Sequence, residues 1–165
     1  EADFDKVPGV LATTSGFAGG TVNNPSYRQV TAGGTGHYEV VKIDYDPNRV
    51  SYDQLLEAFW FSTNPTDAGG QFCDRGHSYK SAIIATNSAQ MAAAQASKNS
   101  LLAAGVNIVT PILPNAAFFP AETYHQNYYK KKPLRYRFYR NSCGRDKTVK
   151  RVWGKDAYRG IPGKS

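Results

Sequence analysis

Alternating apolar and polar residues predict two strands in the first third of the chain. Val10 to Phe17 forms the first, and the stretch HYEVVKIDYD forms the second. Successive side chains of a strand point to opposite faces. Glu39 therefore shares a face with Val41, Ile43 and Tyr45, which is otherwise apolar. The pattern predicts a carboxylate on the buried side of a strand.

Apolar residues at helical spacing predict three helices. Ser51 and Gln54 match a capping box that opens the first, whose apolar stripe follows directly. An alanine-rich segment that Asn87 or Ser88 caps runs to Ala104, and Pro120 begins a third helix, PAETYHQNYYKKK. We expect His125 and Tyr128 to share a face of this third helix, which serves either for packing or for contact with a substrate.

Two glycine-rich segments, AGGTVNNPSYRQVTAGG and TDAGGQFCDRGHSYK, read as long loops, and further strands are predicted at SAIIAT and VNIVTPIL. The resulting fold class is α+β, a two-layer α/β sandwich around a mixed sheet. The segment after Pro133 is weakly patterned, so we expect an irregular C-terminal tail. The length of 165 residues suits a single domain over residues 1–165.

Positive charge is concentrated at the C-terminal end. Residues 128–165 contain 13 Lys and Arg against 2 acidic residues, whereas residues 1–127 contain 7 against 11. A basic aromatic tail suits a nucleic-acid backbone, although most such tails are only solvated surface. The chain lacks an apolar run of the roughly 20 residues that a membrane span requires. The compartment stays open between cytoplasm and periplasm.

The two cysteines, Cys73 and Cys143, are too few for a disulfide-rich fold, but they could pair in space or act in redox chemistry. Cationic neighbours such as Arg145 would lower the pKa of the Cys143 thiol; a solvent-exposed bystander is the alternative. Cys73, Asp74 and His77 make a poor metal signature, and we expect neither a metal nor a cofactor.

The polar residues beside the loops suggest acid chemistry on a neutral group. Burial would raise the pKa of Glu39 and let it act as a general acid, unless it forms an ordinary salt bridge or reaches solvent at the strand end. Tyr27 and Tyr79 lie in or beside the glycine-rich loops, where a phenol can donate to an uncharged oxygen or simply pack.

Several motifs in order resemble the A class of peptide methionine sulfoxide reductases: GFAGGTVNNPSY, GGTGHYEV, YDPNRVSYDQLLEAFW, FCDRGHSYKSAI, PAETYHQNYY and CGRD. The resemblance extends from Glu1 to about Gly144. It implies a thiol-dependent enzyme that reduces methionine S-sulfoxide, free or in proteins, through sulfenic acid and disulfide intermediates.

The resemblance also assigns roles. Glu39 would protonate or hydrogen-bond the sulfoxide oxygen, and Tyr27 and Tyr79 would help to hold it. Cys143 matches a resolving thiol, with thioredoxin as the reductant. The substrate-binding positions are Asp74, His125 and Tyr128. We expect a monomer.

The chain departs from the family pattern at three places. The Gly-Cys-Phe-Trp motif that supplies the nucleophile would come just before Glu1, so we expect a reductase domain without its N-terminal nucleophile segment. Cys73 stands where relatives often have asparagine, and Ser142 where many have an aromatic residue. The alternatives are an inactive sulfoxide-binding domain and a basic nucleic-acid-binding module.

Overall fold

The structure is a computed structural model that describes residues 1–164. Ser165, the last residue of the predicted domain and tail, lies outside the described residues. The strands are Val10–Ala18 (β1), Tyr38–Tyr45 (β2), Gly70–Gln71 (β3), Asp74–Arg75 (β4), Ile83–Ile84 (β5), Ile112–Leu113 (β6) and Phe118–Pro120 (β7). The α-helices are Tyr27–Ala32 (α1), Tyr52–Phe61 (α2), Ser88–Ala103 (α3), Tyr128–Lys131 (α4), Pro133–Ser142 (α5) and Arg145–Trp153 (α6). Short 3-10 helices lie at Phe4–Lys6, His77–Tyr79, Thr123–His125 and Gly154–Asp156.

The largest sheet within residues 1–164 has the order β2-β1-β7, and both of its pairings are antiparallel. β3 and β4 form a tight hairpin, and β5 pairs in parallel with β6. The α+β class is confirmed. The mixed sheet of the prediction is divided between separate pieces, because the parallel pairing lies outside the main sheet.

The core lies where helices α2 and α3 meet the C-terminal segment. The capping box at the start of α2 is confirmed: Ser51 accepts from the Gln54 N–H, and the Gln54 side chain accepts from the Ser51 N–H. The Trp60 indole is buried and donates to the Ser97 hydroxyl of α3 at 3.0 Å. The small side chain of Ala94, which is fully buried in α3, allows this close approach.

The C-terminal segment is not irregular. It forms α5 and α6, and it contributes Val149, Trp153 and Ile161 to the core. The two helices are held by Arg140, which is only 6% exposed and donates to Asp3 at 3.1 Å. The prediction was wrong because basic residues outnumber the few buried apolar positions, which conceals the helical pattern.

The predicted helix from Pro120 to Lys132 is also wrong, because the structure breaks it into a 3-10 turn and the short α4. Asn127 stands at the break in the left-handed conformation, with φ of 53°. The Gln126 side chain is directed to β1, where its amide donates to the Ser15 carbonyl at 2.8 Å and its oxygen accepts the Ser15 N–H. These contacts replace the bonds of a continuous helix.

Among residues 1–164 no helix combines the length and the apolar character that crossing a membrane requires.

Candidate active site

A cavity of about 1400 Å³ extends along β2 and the facing loops. Six of the seven predicted site residues line it. They are Tyr27, Glu39, Asp74, Tyr79, His125 and Tyr128. These residues come from six separate elements, so the fold, not the sequence spacing, brings them together.

Glu39 lies on β2 opposite Phe17 of β1. It is exposed to the cavity, in contrast to the buried position that the strand pattern predicts. Its pKa is nevertheless raised to about 7, first by the protein atoms that crowd it and then by the negative charge of Asp74. The residue is exposed as a whole, yet enough protein atoms surround its carboxylate to disfavour the charged form.

Within residues 1–164 no cation forms an ion pair with this carboxylate. Of the ion pairs formed within residues 1–164, none includes Glu39. The salt bridge that we considered as an alternative is therefore not present in this part of the chain. With a pKa near neutrality, Glu39 holds its proton in a large fraction of molecules at pH 7.

The phenols of Tyr27 and Tyr79 form a hydroxyl pair whose oxygens are 2.8 Å apart. Tyr27 begins α1, whose capping box of Ser26 and Gln29 fixes the first turn within a segment predicted as loop. Burial, followed by the hydrogen bond with Tyr27, raises the pKa of Tyr79 well above its ordinary value. Both residues line the cavity, and the hydroxyl that accepts within the pair keeps its own proton free to donate to a bound oxygen.

His125 and Tyr128 both line the cavity, although they belong to different elements. The His125 ring packs against Tyr27, with ring centroids 4.2 Å apart. Burial lowers the pKa of His125, and the Glu122 carboxylate at 3.7 Å only partly opposes this. His125 is therefore neutral at pH 7.

The glycine-rich loop after β1 is held by His37, which is 1% exposed and which sequence reasoning missed as a support of the site. Its Nδ1 accepts from the Gly20 N–H at 3.0 Å, so Nε2 carries the proton and donates to the Val22 carbonyl at 2.7 Å. A Cβ at position 20 would lie 2.5 Å from the His37 ring, which explains the glycine there.

Cys73 and Cys143 form a disulfide with Cα atoms 5.2 Å apart. The possibility that they pair in space is confirmed. Cys73 lies in the turn of the β3–β4 hairpin, and Cys143 directly follows α5. Neither cysteine lines the cavity, so Cys143 is the one predicted site residue that the structure places beside it, not in it.

Tyr139 is a cavity residue that sequence reasoning missed. Its hydroxyl donates to the Asp74 carboxylate, one position beyond Cys73. A signal was available, since Tyr139 precedes Cys143 by four residues and so shares its helical face. It was lost because the segment was predicted to be irregular.

Comparison with known proteins identifies the family. The family model "Peptide methionine sulfoxide reductase" matches residues 1–157. The peptide methionine sulfoxide reductase MsrA 2 of Rhizobium meliloti is 51% identical over 98% of this chain and 81% of its own length. The MsrA of Halalkalibacterium halodurans is 48% identical over 92% of this chain and 88% of its own length.

A solved structure agrees. Methionine sulfoxide reductase A of Corynebacterium diphtheriae is 35% identical, with a TM-score of 0.70 over 81% of this chain and 70% of its own. The alternatives of an inactive binding domain and a nucleic-acid-binding module receive no support from these matches. The chain belongs to the peptide methionine sulfoxide reductase family.

Proposed function

We propose that this chain catalyses the thiol-dependent reduction of methionine S-sulfoxide, free or in proteins, to methionine. Family membership supports the reaction, and one observation supports the assignment of its chemistry to specific residues. A carboxylate with a pKa of about 7 lines the same cavity as a pair of neutral phenols. This combination suits a substrate group that is polar and uncharged, such as a sulfoxide.

The chemistry begins at the sulfoxide oxygen. The hydroxyls of Tyr27 and Tyr79 donate to it when it replaces the hydrogen bond between them, and Glu39 transfers its proton as negative charge develops there. Sulfur then becomes the electrophile. A cysteine thiolate forms an S–S bond to it. The oxygen then passes from the methionine sulfur to the cysteine sulfur, the S–S bond breaks with its electron pair on the methionine sulfur, and the products are methionine and a cysteine sulfenic acid.

The other cavity residues would orient the methionine. His125 and Tyr128 offer aromatic and polar surface, and Asp74 lines the same cavity, where its charge acts on Glu39. No ion pair within residues 1–164 reaches Glu39, so nothing there competes for its proton. The cavity therefore favours a neutral substrate group over an anionic oxidised sulfur such as a sulfonate.

Cys143 would act as the resolving thiol. It condenses with the sulfenic acid, releases water and forms a disulfide, which thioredoxin then reduces. The resemblance assigns the nucleophile to a motif before the position of Glu1. We further propose that the chain works as a monomer and as one domain, since the core includes residues from both ends, such as Val7 and Ile161.

The experiment compares reduction of a methionine sulfoxide peptide, with dithiothreitol, by a chain extended through the nucleophile motif and by its Glu39→Gln variant. General acid catalysis predicts a loss of about 100-fold or more in kcat/KM. The activity of the unsubstituted enzyme should also fall above pH 7, where Glu39 loses its proton, and Glu39→Gln should abolish this dependence. Equal rates for the two proteins at pH 6 would exclude the role of Glu39.

A Cys143→Ser variant separates the steps. With thioredoxin as reductant it should complete one turnover and then stop, because the sulfenic acid has no resolving partner. Multiple turnovers at the unsubstituted rate would remove Cys143 from this role.

A further inference from the structure

We propose that Tyr139 is a positioning residue of the sulfoxide site, which, together with the neighbouring disulfide, holds Asp74 facing Glu39. This inference rests on the function proposed for Glu39. Tyr139 lies on α5, outside every motif that carries the family resemblance, and its phenol lines the cavity and donates to the Asp74 carboxylate.

Two adjacent connections join α5 to the β3–β4 hairpin. One is the Cys73–Cys143 disulfide, and the other is the hydrogen bond from Tyr139 to Asp74. The two connections lie next to each other at both ends. On the hairpin Asp74 directly follows Cys73, and on the helix Tyr139 lies one turn before Cys143. The phenol and the disulfide therefore fix the same point of the hairpin.

A third contact fixes the hairpin turn from α6. The Arg145 guanidinium lies over the Phe72 ring, 4.7 Å from its centroid, and Phe72 holds a left-handed backbone with φ of 55°. Beneath these contacts, Arg140 anchors α5 to Asp3 and to Asp146 at 2.7 Å. Tyr139 thus projects from a helix that is itself rigidly held.

These contacts oppose a repulsion. Asp74 and Glu39 line one cavity, and the charge of Asp74 acts on Glu39. A loop carboxylate free to move would turn away from a second carboxylate and into water, since solvated like charges repel. The groups that interact electrostatically with Glu39 are Asp74 from the hairpin, Tyr79 from its 3-10 helix and Tyr139 from α5. Of these, the two tyrosines have raised pKa values and are neutral at pH 7.

The phenol of Tyr139 is suited to this task. Burial first, and then the hydrogen bond to Asp74, raise the pKa of Tyr139 well above its ordinary value. It therefore remains a donor throughout the neutral range. When the disulfide opens, as a resolving role for Cys143 requires, the phenol is the remaining direct link between α5 and Asp74 within residues 1–164.

The test measures the pKa of Glu39 by ¹³C NMR of its side-chain carboxyl in the 165-residue chain, oxidised and after reduction of the disulfide. Tyr139→Phe should lower this pKa by on the order of half a pH unit in the reduced chain. The decrease should be smaller in the oxidised chain, where the disulfide still holds the hairpin. Phe138→Leu, at a side chain that is 75% exposed on the same helix, is the matched control and should change nothing.

A second pair of variants approaches the link from the hairpin. Asp74→Asn should itself lower the pKa of Glu39, and adding Tyr139→Phe should then have no further effect. The proposal is overturned if Tyr139→Phe leaves the pKa of Glu39 unchanged in the reduced chain. It is also overturned if Tyr139→Phe lowers this pKa by the same amount in the Asp74→Asn variant as in the unsubstituted chain. Because the titration needs no turnover, either result is independent of the Glu39→Gln activity test.

Discussion

The carboxylates of Glu39 and Asp146 are both surrounded by protein atoms, yet their pKa values are shifted in opposite directions. Glu39 in the cavity has its pKa raised to about 7 by burial and by Asp74. Burial would also raise the pKa of Asp146, but hydrogen bonds from Arg140 and Tyr158 outweigh it and hold the pKa at about 2. The difference lies in the partners. A carboxylate that accepts hydrogen bonds from a cation stabilises the fold, whereas one left without a cation keeps a proton that it can donate.

The largest expected effect is the decrease in the free energy of unfolding when the Arg140 guanidinium is removed. Arg140→Met would leave Asp3, 7% exposed, and Asp146 without their main partner. Removing one side of a buried ion pair costs about 3 to 5 kcal/mol. Urea denaturation should show a decrease of this size in the free energy of unfolding. Arg137→Met, at an exposed position of the same helix, should change it by less than about 0.5 kcal/mol; equal effects would refute a special role for Arg140.

Two tyrosine variants should distinguish the role of the Arg140 and Asp146 cluster from the role of the cavity. Tyr158 accepts from Arg140 at 3.0 Å and donates to Asp146, so Tyr158→Phe should lower the free energy of unfolding by about 1 to 2 kcal/mol and leave the KM for a sulfoxide peptide unchanged. Tyr79→Phe should do the reverse, raising KM by about fivefold with little change in stability. If both variants change only stability, Tyr79 serves for packing.

The contribution of Asp146 to the free energy of unfolding should depend on pH in the acid range. The pKa of Asp146 is lowered in the folded state, so its contribution is complete above the ordinary value near 3.8 and is lost as the pH falls toward 2. We expect Asp146→Asn to cost about 1 kcal/mol at pH 7, reduced from the full shift because the side chain is partly exposed. The cost should shrink between pH 4 and pH 2. A constant cost across this range would contradict the linkage.

The ionisation of Glu39 should affect the free energy of unfolding in the opposite sense to that of Asp146, and by the smallest amount. Because the pKa of Glu39 is raised in the folded state, ionising it weakens the fold as the pH rises from 4.5 to about 7. Glu39→Gln should therefore be more stable than the unsubstituted chain at pH 8, by roughly 1 kcal/mol or less, and equal to it at pH 4. Thermal unfolding at the two pH values measures this. Equal stability at pH 8 would show that Glu39 is fully solvated.

Local signals in the sequence predicted the elements that are stabilised locally. The capping box at Ser51 and the Asn87 cap of α3 fix their helices through bonds three residues away. The long-range contacts left no such pattern. The hydroxyl pair of Tyr27 and Tyr79 joins residues 52 positions apart, and neither residue alone distinguishes a donor from a packed ring.

The C-terminal helices show a second limit. Their register depends on the buried Arg140, a residue type that is almost always exposed, so binary patterning assigns it to the wrong face. Losing that register also hid Tyr139. The alternation around Glu39 singled out this carboxylate, but the exposure of its side chain to the cavity depends on facing segments that the strand pattern does not include.

The link from Asp3 to Arg140 spans 137 positions of the chain. During synthesis the residues around Asp3 leave the ribosome long before Arg140 has been added to the chain. We therefore expect α5 and α6 to complete the domain as a late step, since contacts distant in sequence form slowly.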